Sequence, residues 1–276
     1  MILVFIGLLT ILPFIVNHQY WEQNFPKQKE CAILPKNKEQ LWLFLLAGQS
    51  NMAGRGFVEA EDTISSPDIL TIDENNNWIL AKEPLHFYQK RLKGLGCGLS
   101  FAKELKKAIP NSIKIGIIPC AIGGSSIEQW IGDSILYNVK LKSNFVEKVA
   151  IARNVGVIKG ILWHQGEANA NMKGLIKYKQ QLSVLFNDFR NYIGDVTIPI
   201  MIGELGRYAI PNEKQENWDK INCIINEYAI SDSNCFVVSS IGLSHKGDHV
   251  HFNTVAQREL GKRFANTYKK IILNTL

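Results

Sequence analysis

The chain contains a serine, a histidine and an aspartate whose types and order could perform acyl transfer. In that chemistry a serine hydroxyl attacks a carbonyl carbon, an imidazole takes the serine proton, and a carboxylate holds the imidazole in one tautomer. Ser50 lies in the segment Gly48-Gln-Ser-Asn-Met52, and Asp248 and His251 lie close together in the segment Asp248-His-Val-His251. We therefore predict Ser50 as the nucleophile, His251 as the general base and Asp248 as the residue that orients the base.

The same chemistry needs hydrogen-bond donors for the oxyanion, and three residues could supply them. The donors would be the backbone amides of Ser50 and Gly124 and the side-chain amide of Gln165. Donors aimed at the developing negative charge lower the barrier to the tetrahedral intermediate. Glu167 follows closely in the chain, but a carboxylate beside that oxyanion would oppose catalysis. We therefore expect Glu167 to be a structural hydrogen-bond acceptor.

Each of these residues also has a structural alternative. Ser50 could cap the helix that follows it, and Asp248 could simply form a turn. Gln165 could satisfy buried backbone groups at the end of a strand. His249 competes with His251, but on an extended loop the two side chains point in opposite directions, so only one can face Ser50. The spacing from Asp248 favours His251.

The elements that must position these residues are buried strands alternating with amphipathic helices. The run from Leu41 to Ala47 is wholly apolar and stops at Gly48, which is typical of an inner strand of a parallel sheet. Strict alternation favours a mainly parallel sheet with helices on both faces. The predicted strands are 41–47, 113–119, 157–163, 198–202 and 235–239, and the predicted helices are 98–109, 136–154, 174–192, 212–229 and 254–272.

The candidate residues all follow the carboxyl ends of predicted strands. Ser50 follows the first strand, Gly124 the second, Gln165 the third and Asp248 the fifth. In an open parallel sheet these ends share one edge, and ligands bind beyond that edge. Residues that are distant in the sequence are therefore expected to converge there.

Composition and length indicate one globular catalytic domain. Of the 276 residues, 46% are hydrophobic and 20% are charged, and no composition break follows residue 40. We assign residues 1–20 to a hydrophobic leader, 21–40 to a linker and 41–276 to the domain. The leader is predicted to direct the chain to the secretory pathway, either as a cleaved signal peptide or as an uncleaved membrane anchor.

Several function classes have little support in the sequence. The five cysteines show no Cys-x-x-Cys pair, which argues against a zinc site, and their spacing leaves a Cys223–Cys235 disulfide open. The glycines form neither a dinucleotide fingerprint nor a phosphate loop, so we expect no nucleotide cofactor. The formal charge is +6, but the lysines are scattered, so nucleic acid is not an expected partner.

The separated motifs together resemble the conserved blocks of the SGNH (GDSL-like) hydrolases. The closest likeness is to the carbohydrate esterase branch, which includes sialate O-acetylesterase-like domains and plant probable carbohydrate esterases. The resemblance implies a three-layer α/β/α sandwich of flavodoxin-like type with a mainly parallel sheet of the five predicted strands. It also implies a Ser-Asp-His triad, no metal or cofactor, and an O-acetylated carbohydrate as the substrate. The motifs that carry it are Gly48-Gln-Ser-Asn-Met52, Trp163-His-Gln-Gly-Glu167, Asp248-His-Val-His251, Glu83-Pro-Leu-His86, Gly94-Leu-Gly-Cys-Gly-Leu-Ser-Phe101 and Pro119-Cys-Ala-Ile-Gly-Gly124.

On this resemblance Ser50 matches the family nucleophile, and Asp248 and His251 match the closing Asp-x-x-His. Gly124 matches the glycine donor, with Gly123 as a less favoured substitute. Gln165 stands where many SGNH enzymes carry asparagine.

Three further residues are predicted to contact the substrate. Arg55 would either bind substrate or anchor its own turn, and His86 and Trp130 would either line a sugar subsite or pack in the core. Two rival functions remain open. They are a lipase or thioesterase on the same scaffold, and a glycan-binding protein without turnover.

Overall fold

The structure, a computed structural model, describes residues 21–273. The predicted leader, residues 1–20, lies outside the described residues. Within the described part of the chain, no helix is long and apolar enough to cross a membrane.

The described residues form nine strands and seven α-helices, with short 3-10 turns between some of them. The strands are β1 (Leu41–Gly48), β2 (Ile69–Ile72), β3 (Trp78–Leu80), β4 (Lys114–Pro119), β5 (Ile135–Leu136), β6 (Val139–Lys140), β7 (Val157–His164), β8 (Ile200–Gly203) and β9 (Cys235–Val238). The helices are α1 (Ser50–Ala53), α2 (Gly98–Lys106), α3 (Ile127–Ile131), α4 (Leu141–Val155), α5 (Met172–Ile193), α6 (Asn212–Ser231) and α7 (Thr254–Leu273).

The main sheet has the order β3-β2-β4-β1-β7-β8-β9. Strands β2, β4, β1, β7, β8 and β9 are parallel to their neighbours, and only the edge strand β3 is antiparallel. The order β4-β1-β7-β8-β9 reproduces the flavodoxin-like pattern, in which the chain moves to one side of the first strand and then crosses to the other. The predicted fold class is confirmed.

The sheet has seven strands over the described residues, so the predicted count of five was too low. The two additional strands, β2 and β3, come from the segment 57–96, which contains none of the predicted strands or helices. Both strands are short, with four and three residues, so their periodicity gave little signal. The helix predicted to begin at 136 begins at Leu141, because residues 135–140 form the small β5–β6 hairpin.

Helices cover both faces of the sheet and create two apolar layers. One layer packs α3, α4, α5 and α6 against the sheet, with Phe145, Phe186 and Trp218 fully buried. The other layer packs α2 and α7 against the opposite face, through residues such as Phe101 and Phe264. Strand β1 lies between the layers and hydrogen-bonds to β4 and β7, which explains its continuous apolar run.

The cysteines are free thiols in this structure. Cys223 is exposed, whereas Cys235 is buried with its Sγ 3.3 Å from Asp232 Oδ2, so the disulfide left open by the sequence is not formed.

Glu83 holds together the segment between β3 and α2. This segment borders the carboxyl edge of the sheet, which we call the catalytic edge because the predicted catalytic residues follow the strands that end there. Its Oε2 accepts hydrogen bonds from the backbone amides of Leu85 at 3.1 Å and Gly96 at 3.3 Å, whereas Oε1 has no partner. Burial raises the pKa of Glu83 to about 8. The side chain is therefore protonated in the folded protein at neutral pH.

The stability of the protein should depend on the protonation of Glu83. An unfolded glutamate has a pKa of about 4.3, so between that pH and about 8 the folded state holds the extra proton. The free energy of unfolding should therefore fall as pH rises through this window.

Glu83→Gln keeps the acceptor oxygen and removes the titration. Urea unfolding at pH 5 to pH 8 should show a flatter pH dependence for this variant, whereas the exposed control Glu39→Gln should follow the wild type. Parallel curves for wild type and Glu83→Gln would show that Glu83 is ionised in the fold.

Candidate active site

Ser50 is placed at the end of β1 by a turn that only glycine can make. Gly48 has φ +130°, and a Cβ atom there would lie 2.1 Å from the carbonyl oxygen of His164 on the adjacent strand β7. The chain then turns through Gln49, and Ser50 becomes the first residue of α1. Ser50 therefore lies beyond the carboxyl edge of the sheet, as the sequence predicted.

The structure brings Ser50, His251 and Asp248 into one hydrogen-bonded series. His251 Nε2 lies 3.0 Å from Ser50 Oγ, and His251 Nδ1 lies 2.7 Å from Asp248 Oδ2. The second oxygen of Asp248 accepts the backbone amides of Val250 at 3.0 Å and His251 at 2.8 Å. Asp248 thus holds both the ring and the loop that carries it.

The pKa shifts of Asp248 and His251 favour an ionised aspartate beside a neutral imidazole. Partial burial opposes the charged form of Asp248, but the hydrogen bonds from His251 and Val250 outweigh it and lower the pKa of Asp248 to about 2. Burial lowers the pKa of His251 below its ordinary value, and the attraction of Asp248 compensates only in part. At neutral pH the aspartate is therefore ionised and the imidazole is neutral and able to accept a proton.

His249, the competing histidine, does not join this series. Its Nδ1 lies 3.1 Å from the carbonyl oxygen of Tyr208, and its ring stacks on His245 with centroids 4.0 Å apart. The φ of His249 is +55°, so the loop is not extended there. The hydrogen bond to Tyr208 O and the ring contact with His245 keep His249 out of the series formed by Ser50, His251 and Asp248.

The loop after β4 offers a free backbone amide and is held against the carboxyl end of β1. Gly48 O accepts hydrogen bonds from Ile122 N at 3.1 Å and from Ser125 Oγ at 3.2 Å, and these fix the loop against the end of β1. Gly124 is exposed at φ +79°, and a Cβ atom there would meet nothing within 4 Å. Its N–H has no acceptor among the described residues, and the Ser50 N–H is at the first position of a helix, where no intrahelical acceptor exists.

The backbone N–H of Gly123 already has an acceptor, Gln89, a residue that the sequence did not single out. Its N–H donates to Gln89 Oε1 at 2.9 Å, and Arg55 Nη2 donates to the same oxygen at 2.5 Å. This leaves Gly124 as the free donor of the pair. Gln89 belongs to no motif, so only the fold shows that it holds the loop after β4, residues 120–126, which we call the oxyanion loop because it carries the predicted donor Gly124.

Gln165 is buried at the end of β7, and its amide is fully engaged. Its Nε2 lies 2.7 Å from Asn169 Oδ1 and 3.2 Å from Gln49 Oε1, and its Oε1 accepts from Tyr178. Both amide hydrogens therefore have protein acceptors, as expected if Gln165 satisfies buried groups at a strand end. Its role as an oxyanion donor stays a prediction, and it requires one of these bonds to be exchanged.

Asn51 joins the nucleophile turn to the loop that carries the base. Its Nδ2 donates to Val250 O at 3.1 Å, and its Oδ1 accepts Phe252 N at 3.0 Å, so it holds the residues on both sides of His251. Glu167 Oε1 accepts the same Nδ2 at 2.6 Å and fixes the orientation of the amide. Glu167 is thus the structural acceptor that the sequence predicted.

Loss of the Asn51 amide should displace His251 from Ser50. Because a small misplacement of a reacting group is costly, we expect Asn51→Ala to lower kcat on p-nitrophenyl acetate by about 10²-fold with little change in KM. Steady-state kinetics would measure this, and far-ultraviolet circular dichroism would check folding. The exposed control Asn191→Ala should leave kcat unchanged. A folded Asn51→Ala variant with wild-type kcat would contradict the positioning role.

The predicted substrate contacts of Trp130 and His86 are wrong. Trp130 is 0% exposed, packs edge-on against Trp163 and Phe189, and donates its indole N–H to Ser125 Oγ at 2.9 Å. His86 is 5% exposed, and burial lowers its pKa to about 3. Both side chains belong to the interior because the segments that carry them fold back onto the sheet.

Arg55 anchors its own turn, which was the second of its two predicted roles. Its Nη1 donates to Gly54 O at 2.7 Å and its Nη2 to Gln89, and the residue is 5% exposed. No carboxylate within residues 21–273 forms an ion pair with it. The guanidinium charge therefore lies uncompensated behind the oxyanion loop.

In the part of the chain that the structure describes, no group of three or more His, Cys, Asp or Glu residues could hold a metal ion. The expectation of a site without metal or cofactor stays a prediction.

Comparison with known proteins gives one family and several similar structures. A sequence model described as carbohydrate esterase, sialic acid-specific acetylesterase, matches residues 40–270. A probable carbohydrate esterase of Arabidopsis thaliana is 31% identical to the chain over 248 residues, which is 82% of this chain and 89% of the relative.

Solved structures agree with the observed fold. The crystal structure of that Arabidopsis protein superposes with a TM-score of 0.72 at 29% identity and covers 83% of this chain and 98% of that chain. A carbohydrate acetylesterase from Xanthomonas citri superposes with a TM-score of 0.62 at 19% identity, covering 85% of this chain and 57% of that chain. At that identity the second likeness shows the fold alone.

Proposed function

The chain belongs to the sialic acid-specific acetylesterase family of carbohydrate esterases, within the SGNH hydrolases, and we propose that Ser50, His251 and Asp248 are its catalytic triad. It is a carboxylic ester hydrolase of the carbohydrate acetylesterase class. The proposal concerns the finer chemistry, namely the residues that act, the acyl-enzyme intermediate and the substrate.

Acylation begins when Ser50 Oγ attacks the acetyl carbonyl carbon of the ester. His251 Nε2 takes the hydroxyl proton over the 3.0 Å contact, and Asp248 stabilises the imidazolium that forms. The tetrahedral oxyanion is held by the backbone amides of Ser50 and Gly124, with Gln165 as a third donor after its amide exchanges partners. His251 then gives its proton to the sugar oxygen, and the bond between the acetyl carbon and that oxygen breaks, which leaves acetyl-Ser50.

Deacylation repeats the cycle with water. His251 takes a proton from water as the water oxygen attacks the acetyl-Ser50 carbonyl carbon. The bond from that carbon to Ser50 Oγ then breaks as His251 returns the proton to Oγ, and acetic acid leaves and ionises to acetate. The observation that carries the proposal is the continuous series from Ser50 Oγ through His251 to Asp248, at 3.0 and 2.7 Å.

The pH dependence of kcat/KM should follow the titration of the His251 imidazole. Because burial lowers the pKa of His251, its basic form persists below the ordinary titration range of histidine, about pH 6.5. We expect kcat/KM for p-nitrophenyl acetate to be constant at neutral pH and to fall tenfold per pH unit on the acid side, with an apparent pKa below about 6.5. An acid limb at the ordinary value or above would contradict a buried base.

The acyl group can be tested with a series of p-nitrophenyl esters from acetate to octanoate. An acetylesterase should show a sharp preference for acetate, whereas a lipase or thioesterase would favour the longer chains. Acetate release from O-acetylated sialic acid, xylan and pectin then identifies the substrate class. Binding of these glycans without release of acetate would support the rival reading of a non-catalytic protein.

We also propose that residues 1–20 carry the chain into the secretory pathway, where they are either cleaved or retained as an anchor. The support is the uncharged, apolar run at 1–16. Expression of the full chain with amino-terminal sequencing of the secreted or membrane-bound product tests this. Recovery of uncleaved protein in the cytosol alone would contradict it.

A further inference from the structure

A groove beside the catalytic edge is lined by residues that the triad chemistry does not use. It encloses about 440 Å³ and is open to solvent. Phe87 and Tyr88 line it from the segment after β3, Asn138 lines it from the β5–β6 hairpin, and Ser143 lines it from α4. No role in the hydrolysis of an acetyl ester explains this surface.

The groove begins where the oxyanion loop is anchored. Tyr88 is followed by Gln89, whose Oε1 accepts the Gly123 N–H at 2.9 Å, and Gly124 is the next residue. The hydroxyl of Tyr88 also donates to Pro119 O at 2.8 Å, at the carboxyl end of β4. One wall of the groove is therefore fixed to the end of β4 and to the loop that carries Gly124.

The lining combines aromatic surface with uncharged polar groups. The Phe87 and Tyr88 rings lie 4.5 Å apart between centroids at an interplanar angle of 47°. Asn138 and Ser143 are exposed, and Asn138 presents its amide. The Ser143 hydroxyl donates to Asp133 Oδ2 at 2.5 Å, so its oxygen remains as an acceptor. Aromatic faces pack against the apolar face of a sugar ring, while amides and hydroxyls bond to its hydroxyl groups.

The charges of the groove balance. Lys140 and Lys148 are matched by Glu74 and Glu147. Lys148 is nearly buried, and its Nζ donates to Asn76 Oδ1 at 2.6 Å and lies 3.4 Å from Glu147 Oε1. The surface thus carries no net charge that would select a polyanion.

In the β5–β6 hairpin beside the groove, Tyr137 has a backbone conformation that is unfavourable for tyrosine. Tyr137 and Asn138 form its two-residue turn with φ of +51° and +63°. Asparagine tolerates positive φ, but tyrosine rarely adopts it, and Tyr137 is 53% exposed.

We propose that this groove binds the neutral sugar chain that carries the acetyl ester, so that the preferred substrate is an acetylated oligosaccharide or polysaccharide and not a single sugar. The inference rests on the proposed function, because the chain in the groove must present its ester to Ser50. It adds a binding subsite formed by Phe87, Tyr88, Asn138 and Ser143.

The test compares substrates that share the ester and differ in chain length. Acetate release from acetylated xylo-oligosaccharides, from xylobiose to xylohexaose, gives kcat/KM for the wild type and two variants. Phe87→Ala removes an aromatic face, and Asn138→Gly removes an amide at a position whose positive φ suits glycine. p-Nitrophenyl acetate, which is too small to reach the groove, reports the intact catalytic centre and the fold of each variant.

We expect kcat/KM of the wild type to rise with chain length. Each variant should lose about three- to tenfold on the longest substrate and keep wild-type activity on p-nitrophenyl acetate. Phe236→Ala, which changes a half-buried aromatic on β9 at the opposite edge of the sheet, should follow the wild type throughout.

Three results would overturn the groove proposal while the esterase proposal stands. These are a wild-type kcat/KM that is independent of chain length, variants that match the wild type on every oligosaccharide, and faster deacetylation of acetylated oligogalacturonides or O-acetyl sialic acid. Failure of the wild type to hydrolyse p-nitrophenyl acetate or any acetylated sugar would instead refute the esterase function, and the groove proposal with it. If Phe87→Ala does not fold, Asn138→Gly decides alone.

Discussion

Replacing Ser50 with alanine is expected to reduce kcat for acetyl esters by about 10⁴–10⁶-fold. The side chain provides the only atom that can form the acyl bond in the proposed mechanism, and its Oγ contacts His251 Nε2 at 3.0 Å. Residual turnover would come from the oxyanion donors and from His251 acting on water. The measurement is the rate of acetate release from p-nitrophenyl acetate and from acetylated xylan.

The fold should tolerate this change, because Ser50→Ala removes one hydroxyl group that makes no backbone cap. Thermal unfolding of the variant should match the wild type within about 1 kcal/mol. Ser231→Ala, at the carboxyl end of α6, is the matched control and should keep full activity. Equal rates for wild type and Ser50→Ala would reject Ser50 as the nucleophile.

Asp248→Asn should have the second largest effect, lowering kcat by about 10⁴-fold. The asparagine oxygen can still accept the backbone amides of Val250 and His251, so the loop should keep its shape. An amide nitrogen facing His251 Nδ1 would favour the tautomer with the proton on Nε2, which cannot accept the proton of Ser50. The imidazolium would also lose the negative charge that Asp248 Oδ2 places 2.7 Å from His251 Nδ1 in the wild type.

A matched control is available at Asp195. Its Oδ1 also accepts a backbone amide two residues later, Thr197 N at 2.8 Å, but no histidine ring contacts it. Asp195→Asn should therefore keep wild-type kinetics. A fall in activity of less than tenfold in a folded Asp248→Asn variant would mean that another group orients His251.

The central strands were predictable because they are buried on both sides. Leu41–Gly48 lies between two parallel neighbours, so every position must be apolar, and this gives a continuous signal. The short strand β2, the edge strand β3 beside it and the β5–β6 hairpin were not predictable in this way. Their few residues are held by tertiary contacts, which overrode the weak local pattern.

The residues of the proposed triad could be selected from their chemical types, their order and their places after strand ends. Gln89 and Asn51 were not assigned positioning roles, because each acts through hydrogen bonds to backbone groups that only the fold brings near. Asn51 reaches Val250 and Phe252, and Gln89 reaches Gly123, across large separations in sequence.

Aromatic residues were the least reliable guide to the proposed substrate surface. Trp130 lies in a motif-rich segment, yet it is fully buried among other aromatic rings. Phe87 and Tyr88, which line the groove, are only partly buried. A single sequence carries no signal that separates a buried aromatic ring from one that faces a ligand.

The most direct test of the triad is the site of labelling by a fluorophosphonate, which reacts with an activated serine. Peptide mass spectrometry of the treated wild type should find the phosphonyl group on Ser50, in proportion to the loss of esterase activity. His251→Ala should remain unlabelled, because its serine is no longer activated. Labelling at another residue, or full inactivation without modification of Ser50, would contradict the assignment of the triad.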